Sequence, residues 1–231
     1  MSQFSSPVID LALPHPRRGS TKGIATLGPA GTSSEQSARY LNKYLSVSWQ
    51  DCSSDEALPI NLYPRFEDAA NAVVSGSSAL LLVANAYHAV SSFYMDPNLI
   101  FVGAYCFDTP QYGIASRSES LPVGELSVAT HPAPKPLIDQ LLTGTSAYAG
   151  RVVEMDSTSA AARAAADGDV DVALTTAPAA EIYGLRFVSR TRPIRMLWSV
   201  FASVTMEEHG GKLPRPKDRD NDYFPTEAKQ L

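Results

Sequence analysis

GIATLGPAGTSSEQSARYL, residues 23–41, sets the plan of the chain. The apolar run Ile24–Leu27 leads into a Gly-Pro-Ala-Gly turn, and Thr32-Ser33-Ser34-Glu35 then opens a polar helix. A strand feeding a Gly-rich turn and a hydroxyl-capped helix presents backbone N–H groups that no intrahelical carbonyl reaches. With the helix dipole, those groups attract anions, carboxylates as well as phosphates. Thr32 or Ser33 is the expected N-cap, with Glu35 or Gln36 reaching back in a capping box. The nucleotide motifs GxxxxGK[ST] and GxGxxG are absent, so a phosphate loop is excluded. An ordinary capped helix carries the same signature, so this turn alone does not decide a function.

A second junction of the same kind lies at Val152–Ala166, VVEMDSTSAAARAAA. Apolar residues run into Asp156-Ser157-Thr158-Ser159, and an Ala-rich helix follows; Ala favours the helix interior, Ser, Thr and Asp the cap. Two such junctions facing each other across a cleft suit a small molecule with two anionic groups.

The 231 residues suffice for one large domain or two small lobes, each with a core. A hydrophobic share of 44% and a charged share of 19% are those of a globular protein. The net charge of −5 and pI near 5.4 exclude non-specific binding to nucleic acid or to an anionic membrane surface. An anionic ligand must therefore be held locally, by helix ends and a few cations. Cys52 and Cys106 are too few for a disulfide framework or a zinc site, and reduced thiols in a cytoplasmic protein are expected. No signal-peptide core is present at the start, and no segment approaches the roughly 18 apolar residues of a membrane span.

Residues 1–21 read as a flexible leader and residues 207–231 as a disordered, charged tail. Between them the pattern predicts strands at Lys22–Leu27, Ala79–Val83, Leu99–Cys106, Tyr112–Ser116, Leu126–Thr130, Arg151–Met155, Val170–Thr175 and Met196–Val204. Helices are predicted at Ser33–Leu45, Pro64–Ser75, Lys135–Leu142, Ser159–Asp167 and Pro178–Tyr183. The alternation argues for an α/β fold with parallel sheets. The chain is expected to form two lobes, 22–106 plus 190–206 and 107–189, crossing near Phe107–Gln111 and Arg190–Arg195. Ligands of such sheets bind at the carboxyl ends of the strands, where both junctions lie.

GPAGTSSE (28–35), FEDAANAVVSG (66–76), LLLVANAY (80–87), ATHPAP (129–134), STSAAARAAADGDVDVAL (157–174) and YGLRFV (183–188) together resemble the prephenate dehydratase catalytic domain. The resemblance implies a two-lobed, periplasmic-binding-protein-like fold with the ligand cleft between the lobes. The implied ligand is prephenate, a cyclohexadiene carrying a ring carboxylate and a pyruvyl arm. Dehydratases end this domain with Thr-Arg-Phe; the matching place here is taken as Trp198-Ser199-Val200-Phe201, which keeps a hydroxyl and lacks the Arg. AYHAVSSFYM (86–95), FDTPQYGIASR (107–117), DSTSAAAR (156–163) and RMLWSVF (195–201) look instead like the bacilysin-type, non-aromatising prephenate decarboxylases.

That resemblance implies loss of the ring carboxylate with the C4 hydroxyl retained, within antibiotic or other natural-product biosynthesis, and no metal or organic cofactor. The chemistry asks for anchors for the pyruvyl carboxylate, a poorly solvated place for the departing carboxylate and a proton source over the ring. Thr32, Ser33 and Ser34 are the expected anchors at one junction, and Ser157, Thr158 and Ser159 at the other. Asn85 and His131 follow buried strands; His131 is the candidate acid, with His88 a further ligand contact. Arg192 and Arg195 are candidates to offset the dianion, and Ser199 is a candidate catalytic hydroxyl. Tyr112, with Phe93, Tyr94 and Trp198, is expected in the core or the cleft wall. A homodimer is the protein partnership expected, with no nucleic-acid or membrane partner. The rival readings are a dehydratase making phenylpyruvate and a non-catalytic protein that binds a dicarboxylate or amino acid.

Overall fold

The computed structural model describes residues 10–11, 22–48 and 58–204. In chain order the elements are β1 (Asp10–Leu11), β2 (Ile24–Leu27), α1 (Ser33–Ser48), β3 (Ile60–Tyr63), α2 (Phe66–Val74), β4 (Leu80–Ala84), α3 (Val90–Met95), β5 (Leu99–Asp108) and β6 (Tyr112–Ser116). There follow β7 (Gly124–Thr130), α4 (Leu137–Leu142), β8 (Ala147–Glu154), α5 (Thr158–Asp167), β9 (Val172–Thr176), α6 (Ala177–Ile182), β10 (Arg186–Phe187) and β11 (Arg195–Ser203). The expected tail and most of the expected leader, together with Cys52, lie outside the described residues; within the leader, Asp10–Leu11 pair antiparallel with β5. No described helix is long and apolar enough to cross a membrane.

Two sheets make two lobes. The first has the strand order β1-β5-β11-β4-β2-β3 and the second β10-β6-β9-β7-β8. The continuous apolar run Leu80–Val83 follows from burial on both faces. Leu80 and Leu82 pack with Ile24, Leu41 and Trp198 on the α1 side, whereas Leu81 and Val83 pack with Phe66, Val73, Phe93 and Phe201 on the α2 and α3 side. In the second lobe α4 covers one face through Ile138 and Leu141, against Ile114 and Val128. The Ala-rich α5 lies close on the other face, where Ala161, Ala162 and Ala165 meet Ala115, Ala129 and Ala173.

The expectation of parallel sheets needs correction, because both are mixed. β2 pairs parallel with β3 and β4, and β7 with β8 and β9. β11 runs antiparallel to both β4 and β5, and β6 antiparallel to β9 and β10. The cause is topological: the chain returns from the second sheet to insert β11 in the middle of the first. A strand that arrives from another lobe needs no right-handed crossover helix and can enter in either direction.

The two connections between the lobes run side by side and are tied to each other. Tyr112 and Arg192 exchange backbone hydrogen bonds of 2.8 and 3.0 Å, and Thr109 N–H donates to the Ile194 carbonyl at 2.9 Å. The Thr109 hydroxyl in turn accepts the Ile194 N–H at 3.0 Å.

Candidate active site

A cleft of about 470 Å³ lies between the lobes, bounded by the starts of α1 and α5 and by the ends of β4, β7, β8 and β11. At the first junction the Thr32 hydroxyl accepts the Glu35 N–H (3.3 Å) and donates to the Leu27 carbonyl (3.1 Å). The Glu35 carboxylate reaches back one residue past the cap, to the Gly31 N–H at 2.7 Å, so the expected capping box is present in a variant form. Thr32 is thereby committed to the helix. Ser33 is committed to the other lobe, its hydroxyl lying 2.9 Å from the Tyr112 hydroxyl. Ser34, buried and lining the cleft, makes no side-chain hydrogen bond among the described residues.

At the second junction Ser157 caps α5 by accepting the Ala160 N–H at 2.9 Å. Thr158 lines the cleft with a hydroxyl that bonds nothing else among the described residues. Ser159 points away from the ligand space and donates to the Ala30 carbonyl of the first turn at 2.8 Å. Each helix start therefore offers one unused hydroxyl beside its leading amides, Ser34 on one wall and Thr158 on the other.

The remaining wall is largely aromatic and apolar, with Phe66, Tyr87, Met196 and Trp198 contributing. Trp198 is fully buried, and its Nε1 donor meets no acceptor among the described residues. An unsatisfied buried donor costs ~1–3 kcal/mol relative to a hydrated one, a cost that an acceptor brought to it would relieve.

Four groups of the cleft, Glu67, Tyr87, Tyr112 and His131, have shifted pKa values. Burial raises the Glu67 carboxyl, but the Tyr87 hydroxyl donating to it at 2.6 Å, its own backbone and the nearby charges of Arg65 and His88 outweigh that and leave it below the ordinary value. Burial, reinforced by Glu67, pushes the Tyr87 phenol up to about 12. Burial likewise raises Tyr112 against the opposing Ser33 hydrogen bond. His131, half-buried at the end of β7, is lowered by desolvation and by His88, against the pull of Asp156 and Glu154. Its Nδ1 accepts the Ala133 N–H at 3.1 Å, which places the proton of the neutral ring on Nε2. Arg65 is the one Lys or Arg side chain among the residues lining the cleft. Among the described residues no three His, Cys, Asp or Glu side chains converge as metal ligands.

Thr32, Ser33, Ser34, Tyr112, His131, Ser157 and Thr158 thus meet at one cleft, while Ser159 and five other candidates do not line it. Ser199 is fully buried and faces α3: it donates to Asn85 Oδ1 at 2.6 Å and lies 2.6 Å from the Tyr94 hydroxyl. The reason is strand alternation, because Trp198 takes the cleft side of β11 and its neighbour must take the opposite face. Asn85 gives its side-chain oxygen to that contact. Arg192 donates instead to Gln140 Oε1 at 2.9 Å, on the flank of the second lobe. Arg195 pairs with Asp108 at 3.2 Å. His88 is exposed and lies edge-on to Tyr87, ring centroids 4.6 Å apart. Sequence reasoning missed Arg65, Glu67 and Tyr87. The one available signal was Glu67 in the first turn of a predicted helix, and it does not say which way the carboxylate points.

No protein-family model matches the chain. Among relatives, a prephenate decarboxylase of Planktothrix agardhii (strain NIVA-CYA 126/8) is 36% identical over 180 residues, covering 77% of this chain and 86% of that protein. A prephenate decarboxylase of Bacillus amyloliquefaciens is 33% identical over 186 residues, covering 77% and 85%. Among solved structures, a prephenate dehydratase from Arthrobacter aurescens in complex with L-Phe superposes with a TM-score of 0.53 at 14% identity. That superposition covers 78% of this chain and 60% of the dehydratase chain, so it speaks for the shared two-lobed fold. With the two sheets, the paired helix starts and these identities in hand, the chain belongs to the prephenate decarboxylase family.

Proposed function

We propose that the protein is a carboxy-lyase that removes the ring carboxylate of prephenate without aromatising the ring. The observation that carries this reading is the pair of hydroxyl-capped helix starts facing one cleft. They suit a dianion, and between them stand Glu67 with its pKa lowered, Tyr87 with its pKa raised and His131 with its pKa lowered. Aromatisation needs protonation of the C4 hydroxyl so that it can leave as water. An ionised Glu67, phenols with raised pKa values and a neutral His131 are all poor donors for that step.

In the proposed reaction the bond from the quaternary ring carbon to the carboxylate breaks and carbon dioxide leaves. The electron pair forms a new ring double bond; the adjacent π pair moves to a ring carbon, which takes one proton supplied by solvent water through the cleft mouth. The hydroxyl and two ring double bonds remain, giving a dihydro-4-hydroxyphenylpyruvate. Ser34 and the leading amides of α1 bind one carboxylate, Thr158 and those of α5 the other, and Arg65 offsets charge at the rim. His131 Nε2–H donates a hydrogen bond to the bound substrate. Phe66, Tyr87 and Trp198 exclude water from the ring, which favours conversion of a hydrated anion into neutral carbon dioxide. The chain's own residues supply placement and electrostatics throughout.

A cytoplasmic location, a homodimer and a role in natural-product biosynthesis belong to the same proposal. Purified protein incubated with prephenate tests its core, with product mass and proton NMR as the readout. A product lacking carbon dioxide but keeping the hydroxyl and two ring double bonds is expected. Phenylpyruvate formed faster than in the enzyme-free control, or no turnover, overturns it.

A further inference from the structure

The indole N–H of Trp198 has no role in the fold. Its ring is fully buried among Ile24, Leu41, Leu82 and Tyr105, yet the residue also lines the cleft, and Nε1 reaches no acceptor among the described residues. A buried donor without an acceptor is rare, and one in the wall of a ligand cleft points at what the ligand brings. On the same side of the first sheet stands α1, whose Ala38 and Leu41 pack in the same cluster as the indole, and whose first turn carries the unused hydroxyl of Ser34. The indole and the Ser34 hydroxyl therefore belong to one wall, and neither has an acceptor among the described residues, Nε1 being itself closed to solvent.

We propose that Trp198 is a positioning residue that donates its Nε1–H to an oxygen of the substrate's 2-oxocarboxylate arm, jointly with Ser34 and the start of α1. The choice of arm follows from the chemistry of the reaction proposed above, on which the inference rests. The ring carboxylate loses its charge on the way to carbon dioxide, so donors fixed to it would stabilise the ground state more than the transition state and slow the step. The arm keeps its charge throughout. Donors on the arm cost nothing at the barrier and fix the ring against the far wall, where Thr158 and the start of α5 stand. Arm recognition thus falls to the first lobe, whose wall carries the extra indole donor, and the departing carboxylate to the second, which offers fewer fixed donors.

The test is read on the full chain labelled with 15N-tryptophan, which has two indole signals, from Trp49 and Trp198, assigned with Trp49→Phe and Trp198→Phe. Saturation with phenylpyruvate, which has the arm but no ring carboxylate, is expected to move the Trp198 indole proton downfield. Cyclohexanecarboxylate, which has a ring carboxylate but no arm, is expected to leave it in place. In Trp198→Phe, KM for prephenate is expected to rise about tenfold with kcat changed less than threefold, and the Kd for phenylpyruvate to rise by the same factor as KM. An indole signal that phenylpyruvate does not move, or that only cyclohexanecarboxylate moves, overturns the assignment; so does an unchanged Kd in Trp198→Phe. Absence of prephenate turnover alongside the expected indole shift would instead refute the reaction and leave the arm contact standing.

Discussion

His131 Nδ1 is occupied by the Ala133 amide, so the useful form of the ring is the neutral one, with its proton on Nε2. Desolvation and His88 lower its pKa below the ordinary value near 6.5, so the neutral form persists as pH falls through the usual histidine range. The sign for stability is the same: the contribution is fully present above about 6.5 and is lost as pH falls through the lowered value. We expect kcat/KM for prephenate to stay flat from pH 8 to about 6.5 and to fall only at lower pH. His131→Gln should remove that acid limb at a cost of about tenfold in kcat/KM. Ser34 and Ser199 make an instructive pair, both buried hydroxyls and only one of them free. Ser34→Ala should raise KM several-fold with the melting temperature unchanged. Ser199→Ala should leave KM and kcat near wild type while lowering stability by ~1–3 kcal/mol, because Asn85 and Tyr94 lose a buried partner.

Among elements, α5 shows how much a short motif can specify. Ser157 caps it, alanines fill its inner face, and Gly168 closes it in the left-handed conformation at φ 88°. Ser157→Ala should cost ~1 kcal/mol in thermal unfolding and weaken prephenate binding through disorder of the first turn. Both anion-directed junctions were legible in the sequence because cap chemistry is local: the hydroxyl, the Gly turn and the following helix are contiguous. The long apolar strands were legible for the same reason. Elements set by distant partners were not. The four-residue edge strand β3 has no alternation of its own and exists because β2 stands beside it. The antiparallel sense of β11 is decided by where β5 leaves off and the second lobe hands the chain back. The phase of β11 separates Trp198 from Ser199, and one residue's difference sends a hydroxyl into the core and an indole to the cleft. Motif matching favoured the hydroxyl, since a hydroxyl looks catalytic; geometry favours its neighbour.

At the scale of the molecule, the lobes meet through the paired connections and through three further hydrogen bonds beside the cleft. Ser159 donates to the Ala30 carbonyl (2.8 Å), Thr176 donates to the Gly31 carbonyl (2.7 Å), and Ser33 meets Tyr112 (2.9 Å). Gly31 fits there for two reasons. Its φ is 87°, and a Cβ would stand 3.0 Å from Ala179 Cα and from the Ile182 side chain. Gly31→Ala should therefore destabilise the protein by ~1–3 kcal/mol and increase its radius in small-angle scattering. Thr176→Val, which removes one of the three bonds without touching the cleft lining, should widen the lobe angle more mildly and raise KM more than it lowers kcat.

All three of those bonds end on residues 30–33, the turn that runs directly into the ligand-facing Ser34. Recognition and closure are therefore written in adjoining letters of the chain and cannot drift far apart. A lineage that altered this turn to welcome a different acid would at once alter how tightly its two jaws shut. New specificity is more accessible from the opposite rim, at Arg65 and Tyr87, where side chains face the cleft and, among the described residues, make their bonds within the first lobe.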